Sequence, residues 1–220
     1  MAIELNLDKE IKLDLSKGSG LTLDLQKGNF VNLSKNSLDK VKLRAGAGWN
    51  CKQVKTSGFF GFGGTTSFLD IDLDLAVGMR DEYGELLYKV YFGNKTAPGV
   101  HLDKDDLTGT QGYIDIDQMC TSTKKDNENT TIDLSKVPKD VAQIEIGVCI
   151  YNNFVFSDID NAYCKLVDET NNRVLCSVKM QNDGGRNKTV HMATLKRTTE
   201  GWVFESVKQY KEGKIGDFLR

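Results

Sequence analysis

Histidine is nearly absent from this chain: His101 and His191 are the only two, far apart and without a cysteine or carboxylate at zinc-ligand spacing. A tetrahedral zinc site needs several nitrogen or sulfur ligands at short intervals, so both histidines are expected on the surface or on strand faces. The five cysteines are odd in number and include no C-x-x-C pair, which argues against a disulfide framework. Cys149 and Cys164, in GVCIY and AYCKL, read as buried thiols. No apolar run approaches the roughly 20 residues of a membrane-spanning helix, and MAIELNLDKE lacks the basic start and apolar core of a signal peptide. The expected location is therefore cytoplasmic. Basic excess is missing too: a net charge of −2 and a pI near 5.8 give no reason to expect a nucleic-acid partner.

Catalytic signatures are equally scarce. There is no G-x-S-x-G, no H-E-x-x-H and no G-x-x-x-x-G-K-[ST] phosphate loop. That leaves a carboxylate-based hydrolase as the enzymatic alternative, because glycosidase acids have no general sequence signature. The expectation is a non-enzymatic protein.

What the chain does have is period two. IELNL, IKLDL, LTLDL, VKLRA, FLDIDLDLAV, LYKVYF, TTIDL, AQIEIGVCIY, AYCKLV, VLCSVKM, TVHMATL and WVFESV are short alternating runs separated by Gly, Asn, Asp and Lys. Such runs predict an all-β fold, a two-layer antiparallel β-sandwich with little helix. The best helix candidate is VKQYKEGKIGDFL (207–219), interrupted by Gly213 and Gly216. An echo at the N-terminus, IKLDLSKGSG then LTLDLQKGN then FVNLSKNS, is read either as successive hairpins or as plain strand bias in a Leu/Asp/Lys-rich segment. Between Trp49 and Phe68, NCKQVKTSGFFGFGGTTS clusters Phe59, Phe60 and Phe62 among glycines. It is expected to be an irregular loop, packing on its own domain or serving as a sticky surface for a partner.

Acids gather in four places. Asp70, Asp72 and Asp74 alternate along one strand, where neighbours on one face stand roughly 6.5–7 Å apart. HLDKDDLTG carries Asp103, Asp105 and Asp106; KKDNENTTIDLSKVP carries Asp126, Asn127, Glu128 and Asn129; FSDIDNAY carries Asp158, Asp160 and Asn161. Hard cations such as calcium take six to eight oxygens from such groups. The EF-hand pattern does not fit, since a loop begun at Asp70 would place Leu75 at its glycine position. A site would have to be assembled from separated segments.

The order VNLSKNS, VKLRAGAGWN, a Gly/Phe loop, DIDLDLAVGMRDEYGEL, VYFGNKTAPGVH, KDDLTG, DNENTTIDLSKVP, IEIGVCIYN, FSDIDNAYCKLVDE and GWVFESVKQYKEG resembles the TerD family of tellurium-resistance and stress-response proteins. The resemblance runs from about Leu25 to Gly213, so residues 1–24 read as an N-terminal strand extension and 25–220 as a TerD-like sandwich. It implies a calcium-binding, non-enzymatic β-sandwich acting as an adaptor or assembly component. Matched block by block, the implied ligands are Asp72, Asp74, Asn94, Asp105, Asp106, Asp126, Asn127 and Glu128, with Asn161 a weaker match. Two calcium sites are implied. TQGYIDIDQMCTSTKK, between the Thr-Gly loop and the acidic run, departs from the pattern and puts one of them in question, unless Asp115 and Asp117 substitute. The alternative reading is a self-assembling structural protein whose N-terminal strands and Gly/Phe loop make subunit contacts.

Overall fold

The computed structural model describes residues 10, 23–24, 27–33, 40, 42–56, 64–111, 115–159, 161–180 and 185–220. In chain order the strands are β1 (Leu23–Asp24), β2 (Phe30–Asn32), β3 (Lys42–Trp49), β4 (Lys52–Thr56), β5 (Thr65–Leu69), β6 (Leu73–Arg80), β7 (Leu86–Val90) and β8 (Thr96–Ala97). They continue with β9 (Val100–Leu102), β10 (Glu128–Asp133), β11 (Gln143–Ile150), β12 (Ala162–Asp168), β13 (Arg173–Lys179), β14 (Thr189–Thr198) and β15 (Gly201–Lys211). Helix α1 (Ile116–Thr121) precedes β10, and α2 (Ile215–Phe218) follows β15.

The strands build two large sheets, one ordered β1-β13-β12-β3-β10-β9-β8 and the other β2-β15-β14-β11-β6-β7, with β4 and β5 forming a separate ribbon. Alternation decides which side chains meet between them. Leu43, Ala45, Ala47 and Trp49 of β3 face Leu73, Leu75, Val77 and Met79 of β6 across one shared apolar core. Trp49 also donates its indole N–H to the Ile71 carbonyl at 2.7 Å. That bond ties one sheet to the entry of β6 in the other, and truncating so large a buried ring to alanine costs about 3–5 kcal/mol.

The all-β sandwich matches the period-two pattern, with local departures. β1 pairs with β13 in parallel, whereas the other strand pairs are antiparallel. The echo does not form hairpins where it is described: β1 joins one sheet and β2 lies on β15 in the other. Of residues 1–24 only Glu10, Leu23 and Asp24 are described. The first part of the C-terminal helix candidate is strand, since β15 runs to Lys211, and its helix is the single short turn Ile215–Phe218. Both flanks of the Gly/Phe loop are strands, β4 and β5, while Phe59, Phe60 and Phe62 lie outside the described residues.

The outward face of β3 carries Arg44, Gly46 and Gly48, and a buried polar layer lies on it. A Cβ at Gly46 would meet the Asp126 carboxylate at 2.0 Å, and one at Gly48 would meet the Tyr163 hydroxyl at 2.4 Å. Only glycine admits that approach.

Candidate metal centre

β6 pairs with β7 only from Val77 onward, so the start of β6 presents a free edge. Asp72 and Asp74 stand there, and the loop after β9 brings Asp105 alongside. One carboxylate oxygen from each of the three lies within 4.8 Å of the others. Asp72 Oδ1, Asp74 Oδ2 and Asp105 Oδ1 are cut off from solvent and have no hydrogen-bond partner. Asp74 is 2% exposed. A buried polar atom left unpaired costs about 1–3 kcal/mol, and more when charged, so three in one cluster call for a counter-charge.

The electrostatics follow. Burial, then the charges of Asp105 and Asp106, pushes Asp72 up to about 6. Burial, then Asp72 and Asp105, pushes Asp74 up to about 7. Glu128 rises to about 8, chiefly through burial, although it is well bonded: Oε2 accepts the Leu75 N–H at 2.7 Å and Oε1 the Asp106 N–H at 3.0 Å. Asp106 behaves in the opposite way. Burial would raise it, but N–H groups of Gly109 and Thr108, with Asn127 and Lys104, hold it below the usual carboxylate range.

The nine residues implied by the resemblance therefore separate. Asp72, Asp74 and Asp105 converge. Asp106 and Glu128 border them, Asp106 folding the loop around its own Oδ1 and Glu128 clamping that loop to β6. Asn127 braces the border: its amide N–H₂ donates to Asp106 Oδ2, and its Oδ1 accepts the Trp49 N–H. Asp126 lies on the outer face of β3, where Arg44 and Lys165 pair with it at 3.2 and 2.8 Å and the Tyr163 hydroxyl donates to it. Asn94 is exposed and donates to the Lys89 carbonyl in a turn. Asn161 donates to Asn50 Oδ1. Asp70 is exposed at the strand's entry, and Asp160 lies outside the described residues.

The segment from Asp115 to Lys125 explains where Asp126 goes. Asp115 caps α1 and Asp117 pairs with Lys179. Below the helix, Lys165 donates to the carbonyls of Met119 and Ser122, and Arg44 to that of Thr123. These two buried cations hold both the segment and Asp126 against β3. Burial draws Lys165 below the ordinary lysine range, with Asp126 opposing. This polar layer was not foreseen from sequence; its only trace is Arg44 and Lys165 at outward positions of otherwise apolar strands.

The expected buried thiols are found. All five cysteines are free and buried, and burial pushes the Cys149 and Cys164 thiols up to about 12. His191 is buried on β14 with its ring against Phe218, and His101 is exposed on β9.

Fold and site together define a class: a two-sheet β-sandwich with an oxygen-only acidic cluster at one end. A TerD domain matches residues 21–220, and the chain belongs to the TerD family. It is 29% identical over 199 residues to the tellurium resistance protein TerZ of Serratia marcescens, covering 89% of this chain and 93% of that protein. It is 25% identical over 195 residues to the stress response protein SCP2 of Bacillus subtilis, covering 85% and 92%. The crystal structure of a homologue of the telluride resistance protein TerD from Streptomyces coelicolor A3(2) superposes with a TM-score of 0.59 at 16% identity, covering 81% of this chain and 94% of that one. That likeness speaks for the fold.

Proposed function

We propose that this chain is a calcium-binding, non-enzymatic protein of the tellurium-resistance and stress-response kind, acting as an adaptor in the cytoplasm. The observation that carries the calcium reading is the group of three buried, unpartnered carboxylate oxygens on Asp72, Asp74 and Asp105. A hard divalent cation that accepts irregular oxygen sets is the natural counter-charge. The reading takes one calcium centred on these three acids, with Asp106 and Glu128 shaping the loop, because Asp126 is already neutralised by Arg44 and Lys165. Free thiols suit a reducing compartment. The printed names of the relatives support the stress-response setting.

Calorimetric titration tests the reading together with thermal unfolding in calcium and in chelator. Calcium at a hundred times its dissociation constant stabilises the fold by about 2.7 kcal/mol. No titration heat and an unchanged midpoint would remove the metal from the account. A turnover found by substrate screening and lost in D72N would remove its non-enzymatic part.

A further inference from the structure

Asp74 shares the outer face of β6 with Ala76, Gly78 and Arg80, since the alternate residues Leu73, Leu75, Val77 and Met79 turn into the core. Its partner across the sheet is Cys149 of β11, and directly opposed residues of an antiparallel pair have Cβ atoms about 4.5–5.5 Å apart. Cys149 is roofed by α2. It is buried in one apolar cluster with Ala76, Phe218 and Leu219, against which Tyr91 and Ile215 pack. The floor of that seat is bare backbone: a Cβ at Gly147 would stand 2.6 Å from the Phe218 ring, and one at Gly78 3.6 Å from Leu219. Thr189 extends the same wall, its hydroxyl donating to the Gly213 carbonyl at 3.0 Å and lying 3.5 Å from the Cys149 sulfur. The Arg80 guanidinium donates to the Phe218 carbonyl at 3.2 Å. Asp74, the most deeply buried of the three convergent acids, therefore borders the seat of a helix four residues long.

Seat and acid respond to each other. With α2 in place, an ionised Asp74 borders an apolar wall and has no hydrogen-bond donor at Oδ2, and a charge without a partner is costly in so dry a setting. Lifting α2 admits water to that face and hydrates the carboxylate, while exposing Phe218 and Leu219. A cation on the three acids supplies the missing counter-charge and removes the advantage of lifting. So short a helix, held by a few side chains, belongs to the low-stability part of a fold, which opens without global unfolding. We propose that α2 is a latch coupled to the cation site, seated over Cys149 when calcium is bound and released far more often when it is not. Such coupling is reciprocal, so the seated helix raises calcium affinity by the same factor. The inference rests on the calcium reading.

The Cys149 thiol lies beneath α2, so its alkylation reports lifting. The full chain is treated with iodoacetamide in calcium and in chelator, the modification of each cysteine is read by peptide mass spectrometry, and calcium heats are recorded separately. Cys164 and Cys176, buried in the opposite sheet, report global unfolding. Cys149 is expected to react about tenfold or more faster in chelator, within the roughly 5–150-fold range of such couplings, while Cys164 and Cys176 stay slow in both solutions. F218A is expected to react fast at Cys149 in both and to bind calcium about tenfold more weakly. If F218A does not fold, hydrogen exchange in the parent protein decides the matter: the Phe218 and Leu219 amides, which donate to the Lys214 and Ile215 carbonyls, should exchange faster in chelator by the same factor. Equal Cys149 rates in the two solutions, parallel acceleration of all three thiols, parental calcium affinity in folded F218A, or α2 exchange indifferent to calcium would each overturn the inference and leave calcium in place. Absence of any calcium heat would bring down both readings.

Discussion

Glu128 at the start of β10 accepts the backbone N–H of Leu75 in β6 at 2.7 Å, so one carboxylate joins the two sheets at the edge where β7 has not yet begun to pair. Its other oxygen takes the Asp106 N–H. Glu128 thus satisfies two donors that no strand reaches. Its burial has a backbone reason as well as an electrostatic one.

E128A leaves both donors unpaired. With about 1–3 kcal/mol for each buried unsatisfied group, its unfolding free energy is expected to fall by roughly 2–6 kcal/mol in urea titrations, and calcium affinity should fall with it as the Asp106 loop loosens. E128Q, which keeps an acceptor, should lose less on both measures.

At the acidic edge, the three convergent residues should act alike and Asp70 apart from them. D72N, D74N and D105N are each expected to weaken calcium by more than about tenfold, or 1.4 kcal/mol, in calorimetric titration, with D70N nearly unchanged. The same three variants should unfold at higher temperature than the parent in chelator, because each removes a repulsive buried charge. Equal effects of D70N and D72N would mean that the ridge is an ordinary solvated face.

The pH dependence has a defined sign. Asp72, Asp74 and Glu128 hold protons in the metal-free fold up to about 6, 7 and 8, against ordinary values of 3.8 and 4.5. Between about pH 4 and 8 the folded state therefore binds more protons than the unfolded state, and the contribution of these groups to stability falls as pH rises. Metal-free protein should show this decline in its thermal midpoint, and calcium should suppress it. Calcium affinity should rise across pH 6–8 as protons stop competing.

Asp126 separates a ligand from a structural acid. D126N leaves Arg44 and Lys165 without their shared counter-charge, and breaking a buried pair in this way costs about 3–5 kcal/mol. Urea unfolding should show that loss. Calorimetry on the fraction that remains folded should give calcium affinity within about twofold of the parent, since the side chain lies on the outer face of β3. A loss comparable to that of D72N would return Asp126 to the metal.

The legible parts of this protein were those governed by strict alternation. The run from Leu73 to Arg80 alternates and is β6, and the same pattern located β3, β11 and β14. Asp72 and Asp74 stood out because a strand holds its side chains in fixed directions, and Asp105 because it crowds a Gly-containing loop. Asn94 and Asn161 matched by block but not by direction, because a turn and an amide pair claimed their side chains. Asp126 lies apart from that cluster for a different reason. Its neighbours in sequence, Asn127 and Glu128, do face the site, while Arg44 and Lys165, far away along the chain, pull it to the other side. Local pattern cannot register that long-range attraction. Nor could it show that the two copies of the echo which are described end in different sheets, since both alternate equally well.

The bare backbone of β3 at Gly46 and Gly48 has a consequence for transplantation. Helix α1 is not a cassette that can be moved alone into another sandwich. The Met119 carbonyl of the helix and the Ser122 and Thr123 carbonyls just after it rest on Lys165 and Arg44, both cations pair with Asp126, and Asp126 and Tyr163 need two positions without side chains on which to lie. A recipient would have to receive the helix, the charges and the glycines in one step, because any subset leaves either a clash or an uncompensated ion.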